Sequence, residues 1–93
     1  MPAKFNPGKI VATQKVVEKI KTDSNFAFFV SHSLQRHLAG DWGDLCQEDK
    51  KENEFSLKNN LRLLSAYKKA NTEIWIITEA DRSATTILFP EEY

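Results

Sequence analysis

The spacing of apolar residues changes period about two-thirds of the way along the chain. Up to residue 61 they recur at helical spacing, and beyond it they run nearly continuously, as in strands. Val16, Val17 and Ile20 share one side of a helix that Thr13 can cap, running to about Lys21. Thr22-Asp23-Ser24-Asn25 is a polar break rich in capping residues. From about Asn25 to Leu38, the residues Phe26, Phe29, Val30, Ser33, Leu34, His37 and Leu38 form a wide stripe able to pack on a sheet. Phe28 lies off that stripe, near His32. Gly40 then ends the helix as a left-handed C-cap. Asp44 is the expected cap of a third helix, with Gln47 at capping-box distance and Glu48 and Asp49 suited to its first turn. From Gln47 to Glu54 every residue is polar, so the middle of this helix faces solvent or a polar cleft, with apolar anchors at Leu45, Cys46, Phe55 and Leu57.

The last third predicts strands over 62–68, 73–79 and 84–89, joined by short connections and stopped by Pro90. Ile74-Trp75-Ile76-Ile77 belongs at the centre of a sheet. Three closely connected strands make an antiparallel meander. The expected fold is therefore α+β: two or three N-terminal helices on a three-stranded antiparallel C-terminal meander, with a short extra strand at 9–12 as an option. Residues 1–93 are read as one domain, and 1–8, with Pro2, Pro7 and Gly8, as a mobile arm.

A hydrophobic fraction of 41% supports a core and argues against disorder. No apolar run spans a membrane, the N-terminus lacks a signal-peptide core, and the single cysteine, Cys46, excludes an intrachain disulfide. A cytoplasmic protein is expected, with no membrane role. Cys46 itself reads as a small buried core residue. Net charge is zero, which gives no support to nucleic acid as a partner. The distribution is uneven, however. Residues 1–40 hold six Lys/Arg against two acids, and residues 41–54 hold six acids against two lysines. Such opposed segments solvate helix surfaces or present two faces to partners.

Two clusters carry candidate chemistry. His37, Asp41, Asp44 and Asp49 could converge around the Gly40-Asp41-Trp42-Gly43-Asp44 junction as acid and base, or as metal ligands. No established ligand motif supports a metal, and no metal or cofactor is assigned. The plainer role is a helix junction with Trp42 as its hydrophobic plug. The second cluster is Glu79, Asp81, Arg82 and Ser83, where Arg82 could grip a phosphate or simply pair with Glu79 or Asp81 inside a turn. Asp49 and Asn53 share a helix face. If that face looks toward Glu79 and Arg82, the clusters form one cleft.

The motifs resemble those of a family of small uncharacterised bacterial proteins met on plasmids and other mobile elements. The resemblance rests on Ile10-Val11-Ala12-Thr13, His37 with Gly40–Asp44, Asp49, Asn53, the 62–67 and 74–83 segments, and the close from Thr85 to Tyr93. Gln14, where family members carry proline, and Lys69-Ala70-Asn71-Thr72, in place of a glycine-containing turn, depart from the pattern. The resemblance implies a prokaryotic cytosolic protein and carries no catalytic residue with it. Two functions are thus expected. The first is an accessory protein that binds a protein partner, with Asp41, Trp42, Asp44, Asp49, Asn53, Asp81 and Ser83 as binding candidates. The alternative is a small metal-independent ribonuclease using Glu79 as base, Arg82 as phosphate ligand and His37 as acid. A homodimer through an open sheet edge is a further option.

Overall fold

The computed structural model describes residues 3–93. Strand β1 (Lys9–Ala12) leads into helices α1 (Gln14–Thr22) and α2 (Ser24–Leu38). After the glycine-rich junction come α3 (Gln47–Lys58), strands β2 (Leu63–Lys69), β3 (Thr72–Thr78) and β4 (Ala84–Leu88), and a final 3₁₀ turn (Pro90–Glu92). The class is α+β, as expected. The sheet has four strands in the order β1-β4-β3-β2, because the optional N-terminal strand pairs parallel to β4.

Pairing sets which residues share a face. Leu63, Ser65, Tyr67, Ile74, Ile76, Thr78, Thr85 and Ile87 lie on one face. Val16, Phe26 and Val30 complete the core above them, from α1 and α2. The stripe read from α2 is the face that packs: Phe26, Val30, Ser33 and His37 are buried, while Phe28 is exposed. Thr13 accepts from Val16 N–H and caps α1.

The opposite face carries Arg62, Leu64, Ala66, Trp75, Ile77, Glu79, Thr86 and Leu88. Helix α3 lies beside β2 on this side, and Asn53 fixes it there. The Asn53 side chain donates to Leu64 C=O at 2.5 Å and accepts from Leu64 N–H at 3.2 Å, as a neighbouring strand would.

The junction closes the rest of that edge. Gly40 N–H bonds His37 C=O and Asp41 N–H bonds Arg36 C=O, the paired bonds of a Schellman turn, with Gly40 at φ 81°. The chain then runs parallel to β2 at Gly43, where Asp44 N–H donates to Ala66 C=O at 2.7 Å. Asp44 is therefore not the cap of α3. Its carboxylate accepts from Lys68 N–H at 2.8 Å, and Cys46, exposed rather than buried, occupies the N-cap position without a side-chain bond. Sequence spacing favoured the cap. The strand edge is the stronger competitor because Lys68 N–H has no partner strand. Of the two sheet edges, β2 is thus covered at Leu64, Ala66 and Lys68, and β1 is the other edge.

The expected mobile arm is packed from Lys4 onward; Met1 and Pro2 lie outside the described residues. Lys4 N–H bonds Leu38 C=O at 2.8 Å, and the Phe5 ring meets His37 edge-on at 5.4 Å. No helix among the described residues is long and apolar enough to cross a membrane.

Candidate functional site

His37 enters the core from the last turn of α2 and is completely buried. Its Nδ1 lies 2.6 Å from Ser65 Oγ and its Nε2 2.9 Å from Thr78 Oγ1. Thr78 and Thr85 hydroxyls are 2.8 Å apart, and Thr85 donates to Pro7 C=O at 2.7 Å. That last bond fixes the protons back as far as His37 Nε2. Thr85 has one hydrogen, so Thr78 must donate to Thr85. His37 Nε2–H must then donate to Thr78, and in the neutral ring that burial favours Nδ1 accepts from Ser65. With the imidazole neutral, the hydrogen bonds run one way from Ser65 to Pro7. Burial, with the positive charge of Arg82, lowers the His37 pKa to about 4.

Arg82 stands at the β3–β4 turn with a left-handed backbone, φ 61°. Its guanidinium donates to the carbonyls of Leu61 at 2.7 Å, Glu79 at 3.1 Å and Ser56 at 3.3 Å. It ties the end of α3 to the turn and does not pair with the carboxylate of Glu79 or Asp81. Asp81 closes the turn by accepting from Ser83 N–H at 2.9 Å, and the hydroxyl of Ser83, followed by its backbone N–H, lowers the Asp81 pKa. Ser83 C=O accepts from Lys9 N–H, the first bond of the β1–β4 ladder.

Glu79 lies on the sheet face opposite His37, directly across from Arg62, and their side chains approach at 3.7 Å. The structure therefore does not converge the imidazole of His37, the carboxylate of Glu79 and the guanidinium of Arg82 on one open site. One is sealed beneath the helices, one faces the α3 side, and one is occupied by backbone carbonyls.

The junction acids divide likewise. Asp41 receives Arg36 through two bonds, 2.7 and 3.2 Å, which lower the Asp41 pKa. Its backbone carbonyl accepts from Tyr67 Oη at 2.7 Å, and Arg36 lies over the Tyr67 ring. Trp42 is buried, as a plug should be, with its ring edge on His37 and its N–H on Glu54.

The single cleft expected to join Asp49 and Asn53 to Glu79 and Arg82 does not form; the groove beside α3 has neither Glu79 nor Arg82 in its lining, and Arg62 is its guanidinium. A groove of about 440 Å³ runs between α3 and the sheet. Asp49, Glu52, Asn53 and Ser56 form its helix wall, and Arg62, Leu64, Trp75 and Tyr93 its floor and far side. The Trp75 and Tyr93 rings meet at 5.4 Å in a T-shape. Arg62 lies over the Tyr93 ring at 5.4 Å and donates to its hydroxyl at 2.9 Å. Sequence reasoning missed Arg62, Trp75 and Tyr93 as groove residues. The available signal was alternation: 62, 75 and 79 fall on one face once Leu63 is set opposite Thr78.

No group of three or more His, Cys, Asp or Glu side chains among the described residues is arranged to hold a metal ion. Compared with known proteins, the chain matches no family model, no curated protein and no solved structure.

Proposed function

We propose that the chain is a non-enzymatic bacterial accessory protein of the cytoplasm, of the mobile-element kind its motifs resemble. It acts by holding a basic segment of a protein partner in the α3 groove. One observation carries the reading. Asp49 and Glu52 are exposed on the groove wall above the aromatic floor, and the ion pairs among the described residues are Arg36–Asp41 and Arg62–Glu79. A lysine or arginine entering the groove would find free carboxylates on one side and ring faces on the other, a favourable setting for a cation. Arg62 already uses the Tyr93 ring in this way, with Glu79 offsetting its charge. A phosphodiester would meet the same acids and be repelled. The ribonuclease alternative has no comparable support, since His37 is sealed in the core, the Glu79 carboxylate is on the other sheet face and Arg82 is held by backbone carbonyls.

The test is an NMR titration of the isotope-labelled chain with a lysine- and arginine-rich peptide, with an acidic peptide of equal length as control. Shifts are expected at Asp49, Glu52, the Trp75 indole N–H and Tyr93 with the basic peptide alone. The double variant Asp49→Asn/Glu52→Gln should weaken binding by roughly tenfold or more, about 1.4 kcal/mol. Shifts scattered over Asp41, Asp44 and Asp81 would defeat the reading. So would RNA cleavage that disappears in Arg82→Ala.

A further inference from the structure

The two edges of the sheet are finished differently. Along β2, the outward backbone groups of Leu64, Ala66 and Lys68 meet Asn53, the junction backbone and Asp44 in turn. Along β1 the parallel ladder sets which groups point outward. Lys9 N–H donates to Ser83 C=O at 3.0 Å and Thr13 N–H to Ile87 C=O at 3.1 Å. Lys9, Val11 and Thr13 therefore address β4, and the N–H and C=O groups of Ile10 and Ala12 point away from it. Ile10 is also an exposed large apolar residue, at 46%.

We propose that β1 is a self-association edge. Two copies of the chain pair antiparallel through it, about a two-fold axis at Val11, joining two four-stranded sheets into one. Strand length selects this register. With the axis at Val11, Ile10 exchanges both backbone bonds with Ala12 of the second copy, and Ala12 does so with Ile10. An axis at Ile10 would set Ala12 against Gly8, whose N–H is held by Asn6 Oδ1 at 2.9 Å. An axis at Ala12 would set Ile10 against Gln14, which lies inside α1.

Charge complementarity then favours a second copy over any other extended segment. In this register Lys9 stands opposite Thr13 of the second copy. The Thr13 hydroxyl donates to Glu92 at 2.8 Å, so a carboxylate waits on the side where the lysine arrives. Lys9, Val11 and Thr13 share one face of the strand, and two-fold symmetry makes the lysine–carboxylate meeting twice. This inference rests on the β1 edge and not on the groove, so either can fail without the other.

Sedimentation equilibrium of the full chain over a range of concentrations tests it. A monomer–dimer equilibrium is expected. Ile10→Pro removes an outward N–H and no bond to β4, so it should weaken the dimer by roughly tenfold or more. Lys9→Glu should weaken it at low salt, with partial recovery as salt is raised. Asp49→Asn should leave it unchanged, which separates the edge from the groove. Hydrogen exchange on the unmodified chain gives an independent reading, which stands even if Ile10→Pro does not fold. The Ile10 and Ala12 amides should gain protection as concentration rises. A chain that stays monomeric throughout overturns the inference. So does a dimer whose Ile10 and Ala12 amides gain no protection.

Discussion

The two faces of this sheet treat polar side chains in opposite ways. Beneath α1 and α2, Ser65, His37, Thr78 and Thr85 are buried, and each has its hydrogen-bond partners. No buried side-chain nitrogen or oxygen among the described residues lacks a partner. On the α3 side, Asp49 and Glu52 stand exposed around a groove, and Arg62 and Tyr93 line it half in solvent. Residue type alone points the wrong way: the histidine that looks catalytic is fully enclosed. An unsatisfied polar group in a core costs several kcal/mol, so burial forces saturation, and saturation removes the free lone pair or proton that chemistry needs. The open face carries no such demand and keeps its charges available.

The largest effect should come from breaking the closed side at its tightest point. Gly43 has φ 79°, and a Cβ there would sit 2.0 Å from Ala66 C=O and 2.7 Å from the Tyr67 ring. Neither neighbour can withdraw: one is strand backbone, and the other is a fully buried ring whose hydroxyl is held by Asp41 C=O. Gly43→Ala should cost on the order of 4 kcal/mol, read as a lower urea midpoint, because it combines backbone strain with a steric clash. A variant within about 0.5 kcal/mol of the parent would show that the junction can lift off β2 freely.

A comparable effect, spread over pH, should come from His37. Its folded pKa lies near 4, below the ordinary 6.5. Between those values the unfolded chain takes up a proton that the native chain does not. Stability from this group is therefore full above pH 6.5 and falls as pH drops toward 4. Below that both states are protonated and the loss is constant, on the order of 3 kcal/mol at 1.36 kcal/mol per unit. The lowered Asp41 pKa acts later, because it contributes stability that is lost only as pH falls through its own folded value. Denaturant midpoints measured between pH 7 and 4 should show the early slope, and His37→Gln should remove it. A parent slope that survives in His37→Gln would place the acid sensitivity elsewhere.

Much of the closed side was legible in the sequence, because its causes are local or periodic. The α2 stripe, the Thr13 cap, the Gly40 turn and the central strand each follow from a few neighbouring residues. The open side was not, because its residues are assembled by register. Arg62 and Arg82 look interchangeable along the chain. One faces the groove because it pairs across from Glu79, and the other reaches the Leu61 and Ser56 carbonyls because it leaves a left-handed turn. Asp44 failed as a helix cap for a related reason. A carboxylate shortly before a helix has the spacing of a cap, and nothing local reveals a strand edge 24 residues away.

The smallest expected effect sharpens the comparison most. Asp49→Asn and Glu52→Gln keep size and helix-compatible geometry while removing charge from the groove wall. Both residues are exposed, neither belongs to an ion pair among the described residues, and the groove-facing bonds of α3 to the sheet come from Asn53. Asp49 lies in the first turn, where the helix dipole favours a negative charge, so Asp49→Asn should lose a few tenths of a kcal/mol. Glu52→Gln should stay within about 0.5 kcal/mol of the parent. Urea midpoints for the two variants check this directly. If either costs as much as Gly43→Ala, its carboxylate is holding the fold together, and the α3 face is as closed as the other. If both are near neutral while basic-peptide affinity falls, those charges are kept on the surface for something outside the chain.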